Sequence, residues 1–188
     1  MQLLIGHGQV PTIMPEASIK MGICCPIRNI ERMKDGTLDK EQYYSFQMIS
    51  EGASNHNQDK RFIEIIKDFG PDVIHIWGTE YMHTYNMLCA AEEMGILNKT
   101  VVSIQGLITS VVKHYCDGIE RDHDGTFERI QELSLKDKIR SRYEIMAIKK
   151  CINISGRTEW DKACIAQINP NAKYWYIGEN LRNIFYKE

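Results

Sequence analysis

The chain has 188 residues, 43% of them hydrophobic and 26% charged, with a formal net charge of -2. That length fits one domain able to bury a full core without metal or disulfide staples, and the charge gives no electrostatic case for DNA or RNA as a partner. No apolar run approaches the roughly 18 residues that span a bilayer, and Met1 is not followed by the segments of a secretory leader, so no transmembrane segment and a cytoplasmic location are expected.

The six cysteines, Cys24, Cys25, Cys89, Cys116, Cys151 and Cys164, lack CxxC spacing and the density of a secreted scaffold. They read as reduced, structural thiols.

In chain order, "IKMGICCPI" (19–27) is a short apolar run ending near Pro26 and predicts a buried strand. "YYSFQMI" (43–49) follows the turn-like "KDGT" and predicts a second. "QDKRFIEIIKDFG" sets Phe62, Ile65, Ile66 and Phe69 at helical spacing, and Gly70 with Pro71 supplies a stop signal. "DVIHIW" (72–77) is β-branched and apolar without clear alternation, as in a strand covered on both faces of a parallel sheet.

Helical spacing resumes after Gly78 with Tyr81, Tyr85, Leu88 and Met94, and "KTVVSIQG" (99–106) repeats the strand-then-glycine unit. The polar stretch from Thr109 to Thr126 reads as a long loop, and "SLKD" has the form of a capping box that would start a helix at Ser134, with Ile139, Tyr143 and Met146 on one face. "CINISG" (151–156) is a third unit. "TEWDKACIAQINP" opens with a cap at Thr158 and stops at Pro170, and "KYWYIG" (173–178) makes a fourth strand-glycine unit.

Strands alternating with helices imply right-handed crossovers and an α/β fold: a Rossmann-like, doubly wound, mostly parallel sheet with helices on both faces. Ligands of such sheets bind outside the carboxyl ends of the strands. Gly78, Gly106, Gly156 and Gly178 should therefore lie along one rim.

At that rim, Thr79 has the chemistry of an N-cap and Glu80 that of a first-turn acid. The functional alternative is that Glu80 hydrogen-bonds a substrate hydroxyl or acts as a base, with the Gly78 and Thr79 amides facing a ligand. His75 reads as a satisfied core histidine, and His83 stands one turn into the helix. Gln105 and Gly106 occupy the next rim position, where an amide can pair with a sugar hydroxyl or a phosphate or simply close the turn. Arg157 and Glu159 bring a charge pair to the third; arginine suits bidentate contact with phosphate or carboxylate.

The cluster of His114, Cys116, Asp122, His123 and Asp124 matches no zinc or calcium template, so no metal is expected. There is no GxSxG nucleophile elbow, and "GHGQ" (6–9) is only a fragment of a dinucleotide fingerprint.

The stretches "FGPDVIHIWGTEYMHT", "VVSIQGL" and "ISGRTEWDKACIAQINPNAKYWYIGENLRNIFY" resemble the N-terminal, acceptor-side domain of bacterial glycosyltransferases of family 4 type, over about Ile19 to Tyr186. The resemblance implies one half of a GT-B type architecture of two Rossmann-like domains. It implies transfer of a sugar, with retention, from a nucleotide-sugar to a hydroxyl acceptor in surface glycan or polysaccharide synthesis, with no cofactor or metal. The implied partners are a sugar or lipid-linked glycan acceptor and a donor domain in cis or trans, with peripheral membrane association compatible.

Carried over by position, Glu80 becomes the catalytic candidate, and Trp77, Gly78, Thr79, His83, Gln105, Gly106, Arg157 and Glu159 the acceptor-binding set. Gln105 stands where relatives commonly carry histidine and cannot do acid-base work. "MQLLIGHGQVPT" is short for the family's opening strand and glycine-rich loop, so residues 1–188 are expected to form a single domain lacking the first strand and the donor domain, incomplete for catalysis alone. Two alternatives are a non-catalytic glycan-binding or partner-binding module of the same fold, and an unrelated Rossmann-like enzyme holding a nucleotide through "GHGQ".

Overall fold

A computed structural model describes residues 2–6, 19–29, 31, 34–38, 40–49, 56–119 and 125–178, with 2–6, 38, 56 and 57 described by backbone alone. Its strands are β1 (Gln2–Gly6), β2 (Lys20–Ile27), β3 (Gly36–Leu38), β4 (Glu41–Gln47), β5 (Val73–Trp77), β6 (Thr100–Ser103), β7 (Asn153–Gly156) and β8 (Lys173–Tyr176). The helices are α1 (His56–Phe69), α2 (Met82–Glu93), α3 (Ile108–Val111), α4 (Thr126–Lys150) and α5 (Glu159–Ile168).

The strands form one sheet in the order β3-β4-β2-β1-β5-β6-β7-β8. Every pairing is parallel except that of β3 with β4. The chain runs outward from β1 through β2 to β4, returns through α1 to β5, and then runs outward the other way. The fold is thus α/β, Rossmann-like and doubly wound, with its switch point between β1 and β5.

The expectation of a missing first strand is corrected. Gln2–Gly6 pairs with β2 on one side and β5 on the other, at the centre of the sheet. The five residues QLLIG are enough for this, because a central strand draws its hydrogen bonds from both neighbours. The rest of "GHGQ", 7–9, lies outside the described residues.

Helices α1, α2, α4 and α5 pack side by side in that order. Against them the sheet presents Tyr44, Phe46, Ile74, Ile76, Val102 and Ile154, all buried. Phe62 and Phe69 of α1 meet Phe46 and Tyr44 edge-on at 4.9 and 6.2 Å between ring centroids. Gly22 of β2 is small for this reason: a Cβ there would stand 2.9 Å from the Phe69 ring. Gly70, at φ 61, ends α1 by donating its N–H to the Ile66 carbonyl at 2.9 Å, the stop its sequence predicts.

The opposite face carries a polar line. His75 Nε2 is 2.6 Å from Ser103 Oγ, which is 2.5 Å from Ser155 Oγ, spanning three neighbouring strands. Burial pushes the His75 imidazole down to a pKa of about 4, so the ring is neutral at physiological pH.

Two helix starts differ from expectation. Helix α4 begins at Thr126, behind Gly125 at φ 79, and Ser134 is a buried residue within it rather than its cap. Its inward side is Ser134, Asp137, Glu144, Ala147 and Ile148, while Met146 is exposed, so polar partners and not an apolar stripe select its inner face. Helix α2 starts at Met82 with Tyr81 in the cap position, because Thr79 is engaged elsewhere. All six cysteines are unpaired thiols.

Candidate functional site at the strand carboxyl ends

The turn from β5 to α2 is a compact hydrogen-bonded unit. Gly78, at φ 85, donates its N–H to the Ser103 carbonyl at 2.9 Å, and the Gly78 carbonyl accepts from Thr84 Oγ1 at 2.9 Å. The Thr79 N–H donates to Glu80 Oε2 at 2.9 Å. Both amides expected to face a ligand are therefore occupied within the protein. A Cβ at residue 78 would come within 2.8 Å of Glu80 Oε2, so glycine serves both the left-handed backbone and the returning carboxylate.

Thr79 is wholly buried and donates its hydroxyl to Glu144 Oε1 at 2.7 Å. Glu144, from α4, is also fully buried, and accepts in addition from the N–H groups of Ile108 and Thr109 at 3.2 and 2.7 Å and from Thr109 Oγ1 at 2.6 Å. One carboxylate thus ties the turn after β5 to the start of α3, which follows β6. A buried charge is tolerated when hydrogen-bond donors surround it, and here four do. Sequence reading missed Glu144. The available signal was its helical spacing from Ser134 and Asp137, which marks an inward polar face, but nothing in the sequence identifies the segments that face meets.

Glu80 is mostly buried, and that burial pushes its carboxyl above the ordinary glutamate range. Glu144 adds to the rise, whereas the amide hydrogen bonds and Arg140 oppose it.

Beside this turn lies an open cavity of about 370 Å³, lined by Arg28, Met48, Ile49, Tyr81, Met82, His83, Arg140 and Tyr143. Arg28 follows β2, Met48 and Ile49 follow β4, and Tyr81 to His83 follow β5, so the cavity sits at the strand carboxyl ends across the switch point. The Arg140 guanidinium lies 5.0 Å from the Tyr81 ring centroid, and Tyr81 stacks on His83 at 5.2 Å and 9°. His83 in turn stands 5.2 Å from Phe46. Of the sequence-predicted residues, His83 reaches this wall; Glu80 does not line it.

The other predicted residues lie elsewhere. Trp77 packs its ring 4.7 Å from His75, and its buried Nε1 has no acceptor among the described residues. Gln105 and Gly106 are exposed at the end of β6, and the Gln105 carbonyl accepts from Arg157 Nη2 at 3.1 Å. Arg157 and Glu159 do not form the expected pair with each other. Glu159 is exposed and meets Lys162 at 3.4 Å, and the Arg157 N–H donates to Asp161 Oδ2 at 3.0 Å. Their separation follows from the Thr158 capping box, which turns the Arg157 backbone onto Asp161. His114 pairs with Asp117, while 122–124 lie outside the described residues.

A scan against models of known protein families found no match to this chain, and a search of curated proteins found none.

Proposed function

We propose that this domain is the acceptor-binding side of a retaining glycosyltransferase that moves a sugar from a nucleotide-sugar to a hydroxyl acceptor in glycan or polysaccharide assembly. The observation that carries the reading is the position of the cavity: polar and cationic side chains from the ends of β2 and β5 and from α4, with apolar ones from the end of β4, converge at the switch point of a doubly wound sheet. Glu80 is the proposed catalytic carboxylate, with a raised pKa suited to accepting a proton from a hydroxyl.

The test has two parts. This chain should bind sugar acceptors yet turn over no nucleotide-sugar alone; measurable turnover by the 188 residues would refute the division of labour. With a donor domain supplied in cis or in trans, Glu80→Gln should lower kcat by about 100-fold, the lower range for general-base loss, with the melting temperature little changed.

A second reading, a non-catalytic glycan-binding or partner-binding module, is favoured by Glu80 bonding its own turn and lying off the cavity wall. It predicts unchanged ligand affinity in Glu80→Gln and no transfer with any donor domain.

A further inference from the structure

Resting on the acceptor-side reading, we infer that the cavity takes a phosphate-bearing acceptor, a sugar phosphate or a sugar on a diphosphate, with Arg28 and Arg140 holding the phosphate. Among the described residues of the wall are two guanidiniums, two tyrosines and a histidine, and no carboxylate. A guanidinium is always charged and its fork of donors matches phosphate oxygens, so two of them on one small wall select for an anion.

Arg140 is held in place before any ligand arrives. Asp137 pairs with it at 3.3 Å, the Tyr115 hydroxyl donates to the same Asp137, and the Tyr81 ring lies beneath the guanidinium. Such fixing lowers the ordering cost of binding. Arg28 is exposed just beyond β2 and forms no ion pair with a described residue.

The aromatic groups narrow the ligand further. Arg140, Tyr81, His83 and Phe46 are in contact as a column, so Tyr81 and His83 already spend their ring faces on one another. What Tyr81 offers a ligand is an edge with a hydroxyl. A nucleobase needs an open face to stack on, whereas a phosphorylated sugar is read by charge and hydrogen bonds. The apolar Met48, Ile49 and Met82 complete the wall and tolerate either a sugar carbon face or the first unit of a prenyl chain.

Titration calorimetry on the full 188-residue chain tests this with three probes: a hexose 1-phosphate, the same hexose without phosphate, and a water-soluble short-prenyl diphosphate-linked hexose. Expected is binding of at least one phosphate-bearing probe about tenfold or more tighter than the neutral hexose, weakening as salt rises from roughly 50 to 500 mM. Preference for the prenyl compound identifies a lipid-linked source, and preference for the hexose 1-phosphate a soluble one. Arg28→Gln and Arg140→Gln should each weaken phosphate binding about tenfold, and weaken the neutral hexose by clearly less.

Arg140 is packed into its surroundings, so Arg28→Gln, on the surface, is the decisive variant if Arg140→Gln melts early. Equal affinity for neutral and phosphorylated hexose, or wild-type phosphate affinity in a folded Arg28→Gln, overturns the inference. Arginine-dependent phosphate binding with no sugar transfer in the presence of a donor domain leaves the subsite standing and removes the transferase reading. Transfer onto neutral acceptors that is indifferent to Arg28→Gln does the reverse.

Discussion

Glu144 shows how one side chain can determine the shape of a binding rim. Its four donors come from Thr79, in the turn after β5, and from Ile108 and Thr109, which open α3 after β6. Each segment would otherwise have to satisfy these groups from within a few residues of its own sequence. Glu144→Ala removes the acceptor and leaves buried donors on both segments, each at about 1–3 kcal/mol. Urea unfolding at neutral pH should show a loss of at least about 3 kcal/mol. Glu144→Gln should lose less, since its amide oxygen still accepts. Loss below about 1 kcal/mol in Glu144→Ala would mean that the two segments hold their shape independently.

At the scale of elements, the strand carboxyl ends lead into helix starts of two different kinds. Helix α5 has a complete capping box: Thr158 Oγ1 accepts from the Asp161 N–H at 3.0 Å, and Asp161 accepts from the Thr158 N–H at 3.1 Å. Both partners are three residues apart in the chain, which is why "TEWD" discloses them. Helix α2 has no side-chain cap, and the groups that would serve it are turned toward α4 and the preceding turn. Thr158→Ala should therefore cost about 1 kcal/mol by chemical unfolding. The cavity residues Tyr81 and His83 should keep their ring contact in that variant, because their placement depends on α4 and not on α5; unchanged aromatic chemical shifts at the two rings would check it.

For the whole molecule, the polar line across β5, β6 and β7 couples stability to pH. His75 is neutral in the fold with a pKa of about 4, against an ordinary value of 6.5. Between those values the unfolded chain binds the extra proton, so stability increases with pH across the window, is fully present above about pH 6.5 and is lost as pH falls toward 4. The span sets an upper limit of about 3 kcal/mol. His75→Gln keeps a hydrogen-bonding group for Ser103 without titrating, and its unfolding free energy should fall less over the same window than that of the wild type. Parallel pH profiles for the two proteins would assign the acid sensitivity to carboxylates instead.

The sequence by itself determined the local units: the helical stripe of α1 with its Gly70 stop, the buried strand before Gly78, the Thr158 box, and the alternation that makes the sheet parallel. Each depends on residues within about a dozen positions, where backbone geometry translates spacing directly into a face or a cap. For His83, one turn into α2, spacing left both the rim and solvent open. Only the tertiary structure decided which side chains meet across the sheet. Gln2–Gly6 became a central strand because β2 and β5 pair with it from both sides. Thr79 was withdrawn from capping by Glu144, 65 residues away. Arg28 and Arg140 came to one wall from β2's end and from α4. Their convergence follows from the reversal of strand order at the switch point, a property of the folded sheet that no spacing along the chain encodes.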